Sequence, residues 1–187
     1  AVSALIESIQ AIQALLKGKD IRSAVIGGIA VGVWGEPRVT RDVDLKVLLS
    51  RDDSSRLLDI ISSQYKALQA SPLEALNRTG ILFVEDELGT RIDLLLSDTE
   101  FDRRVIERAE PIELGQGLPA VICSPEDLII YKLISTRLRD HEDAAGVIRR
   151  QGRKIDQQYV LGWLKQFELA LDDSTLMDEF KRMFGSV

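Results

Sequence analysis

Apolar residues at Leu5, Ile9, Ile12 and Leu16 recur at helical spacing and stop at Gly18, which predicts an opening amphipathic helix. A short strand follows over Ile21–Ile26 and closes on Gly27 and Gly28. Ile29–Trp34 then reads as a brief helix ended by Gly35 and Pro37. Over Val43–Leu49 the period changes to two. Val43, Leu45, Val47 and Leu49 share one face of a strand, while Asp42, Asp44 and Lys46 share the other, so one face meets a core and the other something polar. Asp53–Ser63 predicts a helix and Tyr65–Ala70 a strand. Gly80–Asp86 with Thr90–Leu96 predicts a hairpin turning near Gly89. A helix over Asp98–Glu107 follows, then a small hairpin of Ile112–Leu114 and Ala120–Cys123 around Gly115 and Gly117.

After Cys123 the pattern is helical. Ser124 stands where an N-cap belongs, Pro125 at the first helical position and Asp127 three residues after the cap, and two or three helices follow to the C-terminus. The predicted class is α/β (α+β), a mixed sheet flanked by helices. Residues 1–123 form the α/β core, and residues 124–187 form a helical segment packed on it. A chain of 187 residues buries one good core with a small appendage, which agrees with that division.

Composition changes the picture only at its edges. Hydrophobic residues make up 45% and charged residues 29%, which excludes collagen-like, disordered and disulfide-scaffold classes. Cys123 is the single cysteine and lies in an apolar run, so a buried thiol is expected. A net charge of -6 disfavours a broad grip on nucleic acid, although Arg149, Arg150, Arg153 and Lys154 form a local basic run. No apolar run approaches the roughly 18 residues of a membrane span and no signal-peptide pattern opens the chain, so a cytoplasmic protein without membrane contact is expected. His141 is the only histidine, expected on an exposed helix face. Trp34 and Trp163 sit in apolar surroundings that suit a core.

Residues two apart in a strand point to the same side, so the Asp42 and Asp44 carboxylates lie next to each other, and their repulsion asks for a cation. An oxygen-only donor set suits a hard ion such as magnesium. Gly27 and Gly28 beside a short helix let backbone N–H groups approach a phosphate at a helix N-terminus. Asp93 lies in the apolar strand Arg91-Ile92-Asp93-Leu94-Leu95-Leu96, where an unpaired charge costs several kcal/mol. It is the candidate third carboxylate of a two-metal site, the competing reading being a structural pair with Arg91. If the backbone is extended, Arg38 and Thr40 share parity with Asp42 and stand beside metals and phosphates. Alternatively, Pro37 merely fixes a turn there.

Taken together, Gly27-Gly28, Pro37-Arg38-Val39-Thr40, Asp42-Val43-Asp44-Leu45 and Arg91-Ile92-Asp93-Leu94 resemble the Gly-Gly/Ser, Asp-x-Asp and third-Asp elements of the DNA polymerase beta-like nucleotidyltransferase superfamily. The segment Glu126–Leu133, followed by Arg137-Leu138-Arg139-Asp140 and Asp143, resembles its AbiEii-type, abortive-infection branch. The resemblance covers about Ile21–Gly152. It implies transfer of a nucleoside monophosphate from an NTP to an acceptor hydroxyl on a small molecule, a tRNA or a protein. Asp42, Asp44 and Asp93 would hold two magnesium ions, with manganese as a substitute. Gly27, Gly28, Arg38, Thr40, Lys132, Arg139 and Asp140 would serve the nucleotide, with Asp143 as an alternative to Asp140. The branch includes toxins, which brings in an antitoxin as a partner. A nucleotide-binding regulator or scaffold that has lost turnover is the alternative function.

The helical motif also has a physical reading. Lys132 and Arg139 are seven residues apart, two helical turns, so on one helix both project from nearly the same stripe toward a triphosphate. The competing reading pairs Arg139 with Asp143 at i, i+4 and leaves Lys132 to snorkel to water.

Overall fold

Seven strands make one mixed sheet in the computed structural model, which describes residues 2–115 and 117–187. The strands are β1 (Ser23–Ile26), β2 (Asp42–Val47), β3 (Lys66–Ala67), β4 (Ile81–Glu85), β5 (Arg91–Leu96), β6 (Glu110–Ile112) and β7 (Ala120–Ile122). Their order is β3-β4-β5-β2-β1-β7-β6, with β2/β5 and β1/β7 parallel and the other pairs antiparallel. The helices are α1 (Val2–Lys17), α2 (Gly27–Trp34), α3 (Ser54–Ser62), α4 (Pro72–Thr79), α5 (Glu100–Arg108), α6 (Pro125–Ile134), α7 (Leu138–Gln151), α8 (Gln157–Leu171) and α9 (Leu176–Phe184). The chain divides into two compact units, residues 1–29 with 39–123, and residues 30–38 with 124–187.

In the sheet unit, Val43, Leu45 and Val47 are fully buried, as are Ile92 and Leu94 beside them on β5 and Leu82 and Val84 on β4. Burying each such side chain contributes about 1.5–3 kcal/mol, so strand alternation decides which face of β2 turns inward. Helix α1 packs against β1, β2 and β7 through Ile9, Ile12 and Leu16. Its buried Gln13 donates to Val121 O at 3.0 Å and accepts from Val121 N at 2.9 Å, so its amide completes the hydrogen bonding of β7.

Three elements of the sheet unit differ from the sequence expectation, the first being β6, which pairs over Glu110–Ile112 rather than Ile112–Leu114. The strand predicted over Tyr65–Ala70 shrinks to Lys66–Ala67 because the Gln69 side chain takes over the pairing: its Oε1 accepts from Phe83 N at 2.9 Å and its Nε2 donates to Ile81 O at 3.1 Å. Helix α4 was not foreseen, although its signals are present. Pro72 opens it, Glu74 lies in its first turn, and Gly80 ends it in the left-handed conformation at φ 73°.

The helical unit holds four α-helices after Cys123 rather than two or three. Gly152 at φ 56° and Asp172 at φ 50° end two of them. Residues 30–38 belong to this unit because α7 grips their backbone. Arg150 Nη1 donates to Gly35 O at 2.7 Å, and Gln151 Nε2 donates to Trp34 O at 2.8 Å. A Cβ at Gly35 would lie 2.9 Å from Val147 Cγ2, so only glycine fits there. The acidic first turn of α6 is buried yet satisfied: Asp127 accepts from Tyr159 Oη at 2.5 Å and Glu126 from Asp156 N at 3.1 Å. Trp34 and Trp163 are half-buried, and Cys123 is buried. Among the described residues no helix is long and apolar enough to cross a membrane.

Candidate active site

Strand register brings the three aspartates onto one face of the sheet. Asp44 is the register partner of Asp93 across the parallel β2/β5 pair, and Asp42 lies two residues before Asp44 on the same side. Adjacent strands run about 4.8 Å apart, so Asp44 and Asp93 are lateral neighbours. Phe83 on β4 and Ile26 on β1 complete that row. The next row alternates in charge through Lys66, Glu85, Arg91 and Asp42. Asp42 is exposed, while Asp44 and Asp93 are half-buried. Lys46 shares the face but is buried, paired with Asp102 of α5 at 3.2 Å.

Gly27 starts α2 at φ 69°, a left-handed conformation that favours glycine. A Cβ there would lie 2.1 Å from Asp44 Oδ2. The Asp44 carboxylate therefore packs against the first residue of α2, where backbone N–H groups add favourable partial charge to an anion.

Arg91 is a counter-charge on this face. Its Nε donates to Asp93 Oδ1 at 2.8 Å, and its guanidinium lies 4.3 Å from the centre of the Phe83 ring. The hydrogen bond to Asp93 and the charges of Asp93, Asp42 and Asp44 raise its pKa above that of an ordinary arginine, against an opposing effect of burial. The field of all three carboxylates is thus felt at one guanidinium. Among the described residues, no three His, Cys, Asp or Glu side chains are drawn together as a ready-made metal cage. Asp93 is instead turned to Arg91.

The remaining predicted site residues make other contacts. Thr40 Oγ1 donates to Asp42 O at a long 3.4 Å. Arg38 lies before β2 rather than in it, and its Nη2 pairs with Asp143 at 3.2 Å within the helical unit, leaving its buried Nε without a hydrogen-bond acceptor. Lys132 Nζ bridges Asp140 at 2.9 Å and Asp143 at 3.0 Å, all three nearly inaccessible, so it does not snorkel to water. The single stripe expected for Lys132 and Arg139 is corrected here, because α6 ends at Ile134 and α7 begins at Leu138. Asp140 makes the break favourable by accepting from Ser135 Oγ at 2.6 Å and Arg137 Nε at 2.8 Å. Burial opposes its charge, but the hydrogen bonds from Ser135, Lys132 and Arg137 and the Lys132 charge prevail and hold its carboxyl at about 2. Arg139 is exposed, and Asp143 pairs with Arg38 and Lys132.

His141 is half-buried rather than exposed, because α9 folds against α7. Its Nδ1 meets Glu179 Oε1 at 2.7 Å and its Nε2 meets Ser135 O at 2.6 Å. Both partners are acceptors, and only an imidazolium donates from both nitrogens. Burial works against that charge, yet the hydrogen bonds to Glu179 and Ser135 and the charges of Glu179 and Asp140 raise its pKa.

The sequence matches no family model and no curated protein. Its fold does match solved structures. An antigenic nucleotidyltransferase-like protein from Paracoccidioides brasiliensis superposes with a TM-score of 0.52 at 18% identity, over 89% of this chain and 89% of that one. The antibiotic-resistance factor ANT(2″)-Ia superposes with a TM-score of 0.59 at 12% identity, over 92% and 97%. The Megavirus polyadenylate synthase gives 0.51 at 14% identity, over 88% of this chain and 37% of that one. The chain has the nucleotidyltransferase fold.

Within that fold, the donor set suits a hard divalent ion: oxygen ligands only, and three carboxylates facing the Arg91 guanidinium on one side of the sheet. A cleft of about 610 Å³ lies away from them, between α1, the end of α5 and the β6/β7 edge, lined by Gln13, Ile21, Ile106 and Val121. The Arg91–Asp93 contact of the competing reading is present, whereas the Phe83 platform beneath Arg91 was not foreseen. The i, i+2 spacing of Arg91 and Asp93 was the available signal, and Phe83 had none before β4 and β5 were paired.

Proposed function

We propose that this chain is a metal-dependent nucleotidyltransferase that moves a nucleoside monophosphate from an NTP to an acceptor hydroxyl. The observation that carries the reading is the β2/β5 register, which sets Asp44 beside Asp93 with Asp42 on the same face of a nucleotidyltransferase fold. Asp42, Asp44 and Asp93 are the residues to hold divalent cations, magnesium by donor chemistry and manganese as a substitute. When bound, such ions neutralise phosphate charge and polarise the phosphoryl oxygens. Gly27 and Gly28 offer backbone N–H groups to the phosphates. Asp93 accepts the proton of the acceptor hydroxyl, whose oxygen forms a bond to the α-phosphorus; the bond from that phosphorus to the bridging oxygen breaks, and pyrophosphate leaves with the electron pair.

The acceptor classes are a small molecule, a tRNA or a protein. ANT(2″)-Ia, seen also with adenylyl-2″-tobramycin, supports the small-molecule class through shared fold. The likeness of Glu126–Leu133 and Arg137–Asp140 to the AbiEii-type branch supports a toxin role with an antitoxin partner. One observation favours a second reading, a nucleotide-binding regulator without turnover: Arg91 already holds Asp93.

Incubation with each α-labelled NTP, magnesium and in turn a cell extract, bulk tRNA or an aminoglycoside panel separates these. We expect pyrophosphate release with label in one acceptor fraction, both abolished in Asp44→Asn. Nucleotide binding without pyrophosphate release under any condition would establish the regulator instead.

A further inference from the structure

The carboxylate face holds a device that its function as a metal site does not explain. Arg91 and Asp93 lie two apart on β5, so their side chains share a face, and Arg91 Nε reaches Asp93 Oδ1 at 2.8 Å. The guanidinium does not lie free in solvent. It rests 4.3 Å from the centre of the Phe83 ring, and Phe83 is the register partner of Asp93 on β4. A cation over an aromatic face is favoured in that position, and here its Nε edge is turned to the aspartate. This N–H engages Oδ1, one of the two Asp93 oxygens open to a cation.

We propose that Arg91 is a resident counter-ion of the carboxylate face, held by the Phe83 ring, which occupies Asp93 until a divalent cation arrives and then exchanges with it on that carboxylate. The inference rests on the metal-dependent reading above. It makes Arg91 a positioning residue that sets the cation affinity of the face without contacting the reacting atoms. The charges account for the direction. Like charges on one face repel one another, and a guanidinium on Asp93 offsets that repulsion in the metal-free protein while yielding to a doubly charged ion. The exchange lowers apparent affinity by the strength of the contact that the ion displaces.

The test is Mn2+ binding without nucleotide, followed by the electron paramagnetic resonance signal of free Mn2+, for the parent, Arg91→Gln, Phe83→Leu and Asp44→Asn, each checked for folding by circular dichroism. Arg91→Gln removes a charge-assisted hydrogen bond and is expected to bind Mn2+ about tenfold more tightly. Phe83→Leu changes no charge and only unseats the guanidinium; about two- to fivefold tighter binding is expected from the loss of a cation–π contact. If Arg91 merely orients Asp93 for the metal, both variants bind Mn2+ as the parent does or more weakly, and the exchange is overturned. The Asp44→Asn arm separates this failure from that of the functional reading. Weakened binding in Asp44→Asn keeps the metal site whatever Arg91 does, whereas parent-like binding in Asp44→Asn removes the metal site and the exchange with it.

Discussion

The carboxylate face of the sheet and the charge network of the helical unit are built from the same residue types and balanced in opposite ways. On the sheet, Asp42, Asp44 and Asp93 share a face on which Arg91, its side chain still 43% exposed, pairs with Asp93. In the helical unit, Arg38, Asp143, Lys132, Asp140 and Arg137 alternate in sign along one chain of contacts, and Lys132 with its two carboxylates is almost wholly removed from water. On the proposed function, an arrangement with like charges as neighbours gives up stability to remain receptive to a cation. A closed alternating network spends its charges on its own members, and its removal is felt as unfolding.

Breaking the helical network should give the largest effect on stability. Lys132→Met leaves Asp140 and Asp143 buried without their shared cation, and we expect a loss of about 3–5 kcal/mol in urea unfolding. A loss below about 1 kcal/mol would mean that water reaches these carboxylates, and the contrast between the regions would dissolve.

On the sheet, the same kind of change should act with the other sign. Asp44→Asn relieves repulsion while keeping side-chain volume, so in chelator the melting temperature should stay the same or rise by a few degrees, and excess magnesium should raise that of the parent more than that of the variant. A large drop in chelator would make Asp44 a structural partner and remove it from the metal site.

The smallest effect sharpens the comparison through pH. The pKa of His141 is raised in the folded protein, so its contribution is fully present below the unfolded value of 6.5 and is lost as pH rises through the folded value. Asp140 is depressed from 3.8 to about 2, so its contribution is present above 3.8 and is lost as pH falls through about 2. Thermal melts of parent and His141→Gln should differ most near pH 5–6 and converge in alkali, where the imidazolium is gone. A difference that does not change with pH would mean that the ring is held by packing alone.

Much of the sheet was legible because strand alternation is local. The run from Asp42 to Leu49 separates an apolar face from a charged one without knowledge of any neighbour. That Asp44 would sit beside Asp93 was not legible in the same way, since it depends on β2 and β5 pairing in parallel, a fact of topology. Gly27 was recognisable as a special glycine, but the closeness of Asp44 that demands it comes from β1/β2 register. The helical motif misled for a physical reason. Spacing along the sequence predicts one stripe only if the helix is unbroken, and Ser135 ends it where Asp140 gathers the Ser135 hydroxyl and the Arg137 guanidinium. His141 was misread because α9, which supplies Glu179, is distant in sequence. Helix α4, by contrast, was there to be read in Ser71, Pro72 and Gly80.

The parallel pairing of β2 with β5 also bears on how the chain reaches this state. Between the two strands lie α3, β3, α4 and β4, so their union closes a long loop, whereas β4 and β5 meet through a tight turn. Closing that loop loses chain entropy before the contacts repay it, and such pairings form late. On entropic grounds the β4/β5 hairpin is expected to assemble before β2 joins it, so that Asp93 is in place before the repulsion with Asp44 is felt.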